Sequence, residues 1–210
     1  MNDLRRFAPA TARNRDPILE VLRRFVSPGA NVLEIASGTG EHAIFLAPRL
    51  HVASWQPTDP DAESRRSIDA WREHARADRV LPALDLDVTF QPWPSLPASP
   101  DVVSCVNMIH ISPWTACGAL FEGASALLGA GKVLYLYGPY RRGGVHTAPS
   151  NEAFDASLRS RNPEWGVRDL EEVEKVAARH GFALREVAEM PANNLSVIFE
   201  RRDTAAMLGG

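Results

Sequence analysis

Apolar positions along the chain follow two periods. Ile18, Leu19, Val21, Leu22, Phe25 and Val26 recur at helical spacing up to Pro28-Gly29. Asp16-Pro17 ahead of them reads as an N-cap with proline at the first helical position, which leaves residues 1–16 as a polar, irregular lead. Short apolar runs then alternate with amphipathic segments. The runs "NVLEIA", "HVASWQPTD", "RVLPALDLDV", "DVVSCVNMIHI" and "KVLYLYGP" predict five strands, the third weakened by Pro82. "EHAIFLAPRL", "DAESRRSIDAWREHA" and "PWTACGALFEGASALLG" predict helices between them, and "FQPWPSLPASP", with four prolines, predicts a loop. From Tyr140 to about Gly166 the pattern is irregular. Val167, Leu170, Val173, Val176 and Ala177 then share a helical face that stops at Gly181. "ALREVAEMP" and "LSVIFERR", joined by "ANN", predict a closing hairpin.

Strands alternating with helices predict an α/β protein. The expected architecture is a Rossmann-like, seven-stranded, mostly parallel sheet with helices on both faces and a C-terminal antiparallel β-hairpin, in one domain over residues 1–210. Composition adds little. Hydrophobic residues make up 45% and charged residues 23%, with a net charge of -3, so nothing favours a nucleic-acid or anionic-membrane partner. The arginine doublets are scattered. Cys105 and Cys117 stand outside any CxxC or Cys/His cluster, which argues against a disulfide framework or a metal site. The N-terminal stretch has no apolar core of a signal peptide, and no run approaches the ~18 apolar residues of a membrane span. The expectation is a cytoplasmic protein with a small-molecule partner, no nucleic acid and no membrane.

The chemistry starts at "NVLEIASGTGEH". Glycines directly after a buried strand cost backbone entropy, which a close-approaching ligand would justify. In open parallel sheets, ligands bind at the carboxyl ends of the strands. Gly38 and Gly40 match GxGxxG, with Ala43 at the third place, which alone is a weak dinucleotide signal. A carboxylate 19 residues after Gly40, Asp59, can accept both hydroxyls of a ribose, with Asp61 the competing candidate.

"VLEIASGTGEHA" resembles the first motif of class I S-adenosylmethionine-dependent methyltransferases: Val32, Leu33, Glu34, Ile35, Gly38, Thr39 and Gly40 fit, and Ala36 stands where glycine is common. More narrowly the chain resembles the methyltransferase-like 26 or DUF938 family. "RNRDPIL", "LEIASGTGEHA", "WQPTD", "LDLDVT", "NMIHISPW", "LYGPY", "SNEAFDASLRSRNPEWGVRDLEEV" and "NNLSVIF" carry that likeness. It implies the fold and S-adenosyl-L-methionine as cofactor, and no substrate.

The resemblance implies that Glu34 organises the glycine loop and meets the cofactor's amino group. It assigns Ser37, Gly38 and Gly40 to the loop, Asp87 to the adenine amino group (Asp85 the alternate), and the Val88 N–H to a ring nitrogen. Asn107, Met108 and His110 fall at the strand end that faces the transferred methyl in this architecture. His110 is the candidate base, expected at a pocket mouth beyond the regular strand. Arg15, beside Asn14, is placed to pair with the cofactor's carboxylate. The segment 140–166 is expected to be a substrate lid, with Tyr140, Phe154, Arg161, Trp165 and Arg168 as its contacts. The expected reaction is methyl transfer to an O, N or S nucleophile. Asp/Asn-Pro-Pro-aromatic and Pro-Cys motifs are lacking, which disfavours DNA-base methylation. Rival readings are a nicotinamide-dependent oxidoreductase and a non-catalytic binding protein.

Overall fold

The structure, a computed structural model, describes residues 3–203. The chain divides into two compact units, one ending at Cys105 and the other beginning at Val106.

The first unit holds α1 (Pro9–Leu22), β1 (Asn31–Ile35), α2 (Glu41–Arg49), β2 (Ser54–Pro57), α3 (Ala62–Ala75) and β3 (Val102–Val106, its last residue opening the second unit). β1 is central and parallel to both neighbours, with Val32 opposite Trp55 on one side and Val102 on the other. Four of its five residues are buried, as a strand flanked on both sides requires.

The second unit begins with a single 3-10 turn (Met108–His110). It continues through α4 (Thr115–Leu127), β4 (Val133–Arg142), β5 (Val145–His146), α5 (Pro149–Arg161), β6 (Arg168–Asp169), α6 (Leu170–Arg179), β7 (Phe182–Met190) and β8 (Asn194–Arg201). β8 lies antiparallel between β4 and β7, so the expected closing hairpin is present. The short β5 and β6 pair with the far end of β4. Phe121 of α4 meets Phe182 and Phe199 edge-on at 5.5 and 5.2 Å, which anchors that helix on the hairpin.

Three expectations are corrected. The first helix begins at Pro9, not Pro17, which lies inside it. Thr11 and Asn14 are buried, so tertiary contact rather than capping carries this first turn, and Arg13, whose carbonyl loses its donor to Pro17, is exposed to water. Met1 and Asn2 of the expected irregular lead lie outside the described residues.

The third expected strand is reduced to two isolated bridges, Val80 to Trp55 and Thr58 to Leu84. The chain still follows β2, through Leu81 N–H to Trp55 O (2.9 Å) and Leu84 N–H to Pro57 O (3.1 Å). Pro82 has no N–H, and Ala83 turns its own to Asp69 (3.0 Å), so the ladder breaks between them. With β5 and β6 added, the described strands number eight rather than seven.

Finally, 140–166 is not irregular: it holds the end of β4, the β5 hairpin and the whole of α5. Pro149 opens α5, and Asn151, Asp155 and Leu158 are its buried face.

Candidate functional site

β1 delivers a carboxylate and a loop. Glu34 is 2% exposed among apolar neighbours. The Trp55 indole N–H donates to its Oε2 at 3.0 Å. Burial nevertheless pushes its pKa up to about 7, against the hydrogen bonds from Trp55 and Ser37 and with the charge of Asp59 adding to the rise.

The backbone then turns through left-handed residues at Ala36, Gly38 and Gly40 (φ 53, 60 and 90°). This conformation costs alanine about 1–2 kcal/mol, which is why glycine suits the position of Ala36. The two glycines have different reasons. A methyl group on Gly38 would meet nothing within 4 Å, whereas on Gly40 it would lie 2.8 Å from the Ile68 Cα of α3. Of the two glycines expected to admit a ligand, Gly38 faces open space and Gly40 lets α2 pack onto α3.

Asp59, two residues beyond β2, is bound into the same loop. Its Oδ2 accepts the Gly38 N–H at 2.9 Å and its Oδ1 the Asp61 N–H at 2.9 Å. Burial raises its pKa despite these bonds. Ser37 completes the link: its N–H donates to Thr58 O at 2.8 Å, and its Oγ accepts the Thr58 N–H at 3.1 Å. The competing Asp61 caps α3, accepting from the N–H groups of Glu63 and Ser64 at 3.3 and 2.9 Å.

Asp87 sits past the broken third strand and accepts from the Thr89 N–H and hydroxyl at 2.9 and 2.7 Å. The Val88 carbonyl takes the Gln91 and Trp93 side-chain N–H groups at 3.1 and 3.3 Å. The alternate Asp85 is exposed and paired with Arg65 at 3.1 Å. A cleft of about 550 Å³ is lined by Pro60, Asp85, Leu86, Asp87, Phe90 and Pro92 among others. Arg15 lies against the Phe45 ring, 4.5 Å from its centroid, and so on the α1–α2 contact. Its neighbour Asn14 is buried, with Oδ1 2.9 Å from His42 Nε2. Burial lowers the His42 pKa to about 4.

In the second unit the chain leaves its strand at Asn107, which adopts φ 63°. The Asn107 N–H donates to Tyr137 O at 2.8 Å, and its carbonyl accepts the His110 N–H at 3.0 Å. His110 therefore stands outside the regular strand. It does not stand at a mouth: it is 0% exposed. Its Nδ1 accepts the Arg168 N–H at 3.3 Å, and its ring meets Tyr140 edge-on at 4.9 Å. An accepting Nδ1 assigns the ring proton to Nε2. That atom has no hydrogen-bond partner among the described residues and faces Gly138. Burial, with the nearby Arg168 charge, holds the His110 pKa down at about 3. The mouth placement expected of His110 is therefore corrected, and an enclosed imidazole held neutral in this way is a poor proton acceptor.

Arg168 donates from Nε to Ile109 O at 2.9 Å and from one terminal nitrogen to Ser112 O and Glu164 O at 2.6 and 2.8 Å. Tyr140 is 0% exposed. The structure thus brings His110, Tyr140 and Arg168 together inside the unit, while the exposed Arg161 lies over the Trp165 ring at 5.6 Å. Residues passed over in the sequence also matter here. Gly138 accommodates the His110 ring, Glu41 and Ser67 hold Thr39 of the glycine loop, and Trp71 holds the Arg6 carbonyl ahead of α1. Only Glu41, directly after that loop, and the i, i+4 spacing of Ser67 and Trp71 hinted at this.

A family model described as "Protein of unknown function (DUF938)" matches residues 5–201. Several solved structures share the fold. An O-methyltransferase family protein from Burkholderia thailandensis superposes with a TM-score of 0.76 at 15% identity, over 93% of this chain and 58% of that one. Human N-acetylserotonin methyltransferase in complex with SAM gives 0.74 at 12% identity, over 92% and 53%. The pyocyanin biosynthetic protein PhzM gives 0.73 at 17% identity, over 91% and 55%. The chain spans little more than half the length of these three, and at such identities the likeness is one of fold: a methyltransferase Rossmann-like α/β sheet with an antiparallel ending.

Proposed function

Because the chain belongs to DUF938, a protein family of unknown function, its activity is read from its own residues, and we propose that it transfers a methyl group from S-adenosylmethionine to an O, N or S nucleophile on a small molecule. The observation that carries this reading is the 2.9 Å bond from the Gly38 N–H to Asp59 Oδ2. It makes the acid after β2 and the glycine loop one cradle, and the Gly38 α-carbon faces open space above it.

The residues fit a nucleoside cofactor. A carboxylate has about four acceptor directions, and the backbone takes two of those of Asp59, which leaves two for ribose hydroxyls. The cleft beside Pro60 and Asp87 has the size and apolar walls for an adenine ring, with Asp87 for its amino group and the Val88 N–H for a ring nitrogen. Ser37, Gly38 and Gly40 shape the loop, Glu34 organises it from beneath, and Arg15 is assigned to the methionine carboxylate. When bound, the sulfonium supplies an already activated methyl group, so positioning provides most of the acceleration. Arg161 and Trp165 are the contacts offered to the acceptor. Tyr140, Arg168 and His110 act by packing, since they are held inside.

Asp59→Ala tests the cradle. S-adenosylhomocysteine binding is expected to weaken by about 2 kcal/mol, or about 30-fold, the loss typical of charge-assisted bonds. Calorimetry showing unchanged affinity removes Asp59 from the site. Wild-type protein that takes nicotinamide dinucleotides and not S-adenosylhomocysteine overturns the reading as a whole.

The lid assignment of 140–166 has a separate check. Tryptic cleavage at Arg159 and Arg161 is expected to slow with cofactor plus an active acceptor from a metabolite extract, and less with cofactor alone. Equal rates with nothing, cofactor, or both reduce the segment to a structural excursion.

A further inference from the structure

Residues 3–8 precede α1 and do not enter a helix or strand. They are nonetheless fastened to the protein by backbone groups of Arg6 and Ala8. The Arg6 N–H donates to Ser67 Oγ at 2.8 Å, and the Arg6 carbonyl accepts the Trp71 indole N–H at 2.9 Å. The Ala8 N–H donates to Glu41 Oε2 at 2.6 Å. Phe7 packs edge-on against Trp71 at 5.0 Å, and the Arg5 guanidinium lies over the same indole at 4.8 Å.

Both of the groups that receive the N–H donors also hold Thr39, the residue between the two loop glycines. The Ser67 hydroxyl donates in turn to the Thr39 carbonyl at 2.8 Å. Glu41 Oε2 accepts the Thr39 hydroxyl at 2.9 Å. Ser67 is fully buried, so its hydroxyl needs both partners, one from the segment and one from the loop. Removing the segment would leave a buried oxygen without its donor and take one partner from each of the two groups that hold Thr39.

We infer that residues 3–8 are a strap that holds the glycine loop in its binding conformation, with Ser67, Trp71 and Glu41 as positioning residues for the cofactor. The inference rests on the reading of this loop as an S-adenosylmethionine cradle. If docking of the strap favours the loop conformation that binds, then by linkage the cofactor favours docking of the strap by the same factor.

Three full-length variants and one protease assay test this. Trp71→Ala removes the indole platform and the donor to Arg6, Trp71→Phe keeps the ring and removes only the donor, and Ser67→Ala cuts the relay to Thr39. The S-adenosylhomocysteine Kd is expected to rise about 10-fold in Trp71→Ala and Ser67→Ala and less in Trp71→Phe, within the usual range of such couplings. In wild type, saturating S-adenosylhomocysteine is expected to slow trypsin at Arg5 and Arg6 by a similar factor, read from the mass of the clipped chain, and Trp71→Ala loses this protection. A purely structural role would leave cleavage indifferent to the ligand. Should Trp71→Ala fail to fold, Ser67→Ala and the wild-type protection decide. Equal Kd values in folded variants, or cleavage at Arg5 and Arg6 that ignores the ligand, overturn the strap while the cofactor reading stands. A wild type that binds no S-adenosylhomocysteine overturns that reading and the strap's coupling with it.

Discussion

Gly138→Ala is expected to destabilise the protein by about 3 kcal/mol, the upper range for overpacking a core. The added methyl group would lie 2.5 Å from His110 Nε2 and 3.1 Å from Asn107 Oδ1. The ring has little room to retreat, because Nδ1 is held by the Arg168 N–H at 3.3 Å and Tyr140 packs at 4.9 Å. His110→Ala is expected to lose about 3 kcal/mol as well, through the cavity it leaves and the stranded Arg168 N–H. The double variant removes the clash, so its loss should fall short of the sum by about 1 kcal/mol or more. Urea unfolding of the three proteins measures this cycle. Losses that add within about 0.5 kcal/mol would show that Gly138 is glycine for some reason other than the ring. The same His110→Ala protein decides its catalytic standing: turnover per folded molecule should stay within about threefold of wild type, and a fall of about 10²–10⁴-fold would restore it as a base.

Glu34→Gln is expected to stabilise the apo protein by about 3 kcal/mol more at pH 8 than at pH 4.5. Burial raises the folded pKa from 4.5 to about 7, so between these values the folded state binds more protons than the unfolded one. Stability therefore falls as pH rises through this window, at about 1.4 kcal/mol per unit of pKa difference, and stays low above pH 7. Glutamine cannot ionise, and its carbonyl still accepts the Trp55 N–H. His42 and His110 act in the opposite sense. Their folded pKa values, lowered to about 4 and about 3, remove stability as pH falls below about 6.5. They titrate alike in both proteins and cancel in the difference. Urea midpoints from pH 4.5 to 8 give that difference directly. A gap that does not change with pH would mean that Glu34 ionises as an ordinary carboxylate.

The strap adds a dependence that neither substitution touches. If the loop is preorganised by residues 3–8, cofactor affinity is shared between Asp59, which binds the ligand, and Trp71 and Ser67, which hold the loop. Combining Asp59→Ala with Ser67→Ala would then cost less affinity than the sum, because the Gly38 N–H loses its acceptor in one case and its loop neighbour loses its tether in the other.

Local pattern alone determined β1 to β4, the helices that alternate with them, the antiparallel ending of β7 and β8, and the glycine loop with an acid just after β2. These features follow from neighbours in the chain: β1 is apolar enough to be buried on both sides, and Glu34, Gly38 and Asp59 fall at its end and just beyond β2. Pro82 weakened the third strand in the sequence, but only the structure showed how the backbone hydrogen bonds to β2 continue around it while the ladder fails. The start of the first helix was hidden, because Asp16-Pro17 is a stronger local signal than Pro9, and what overrides it is the burial of Thr11 and Asn14 against elements distant in sequence. α5 was hidden for the same reason: its buried face is sparse and partly polar, with Asn151 and Asp155 among its members. Tertiary structure alone decided that Gly40 serves a helix contact while Gly38 faces open space, since the difference lies in the position of Ile68, 28 residues away in a sequence where both glycines look alike. It alone placed His110 inside the unit and not at a pocket mouth. A histidine's pKa depends on how much water it keeps, and the groups packed on this ring, Gly138, Tyr140 and Arg168, come from 28 to 58 positions away.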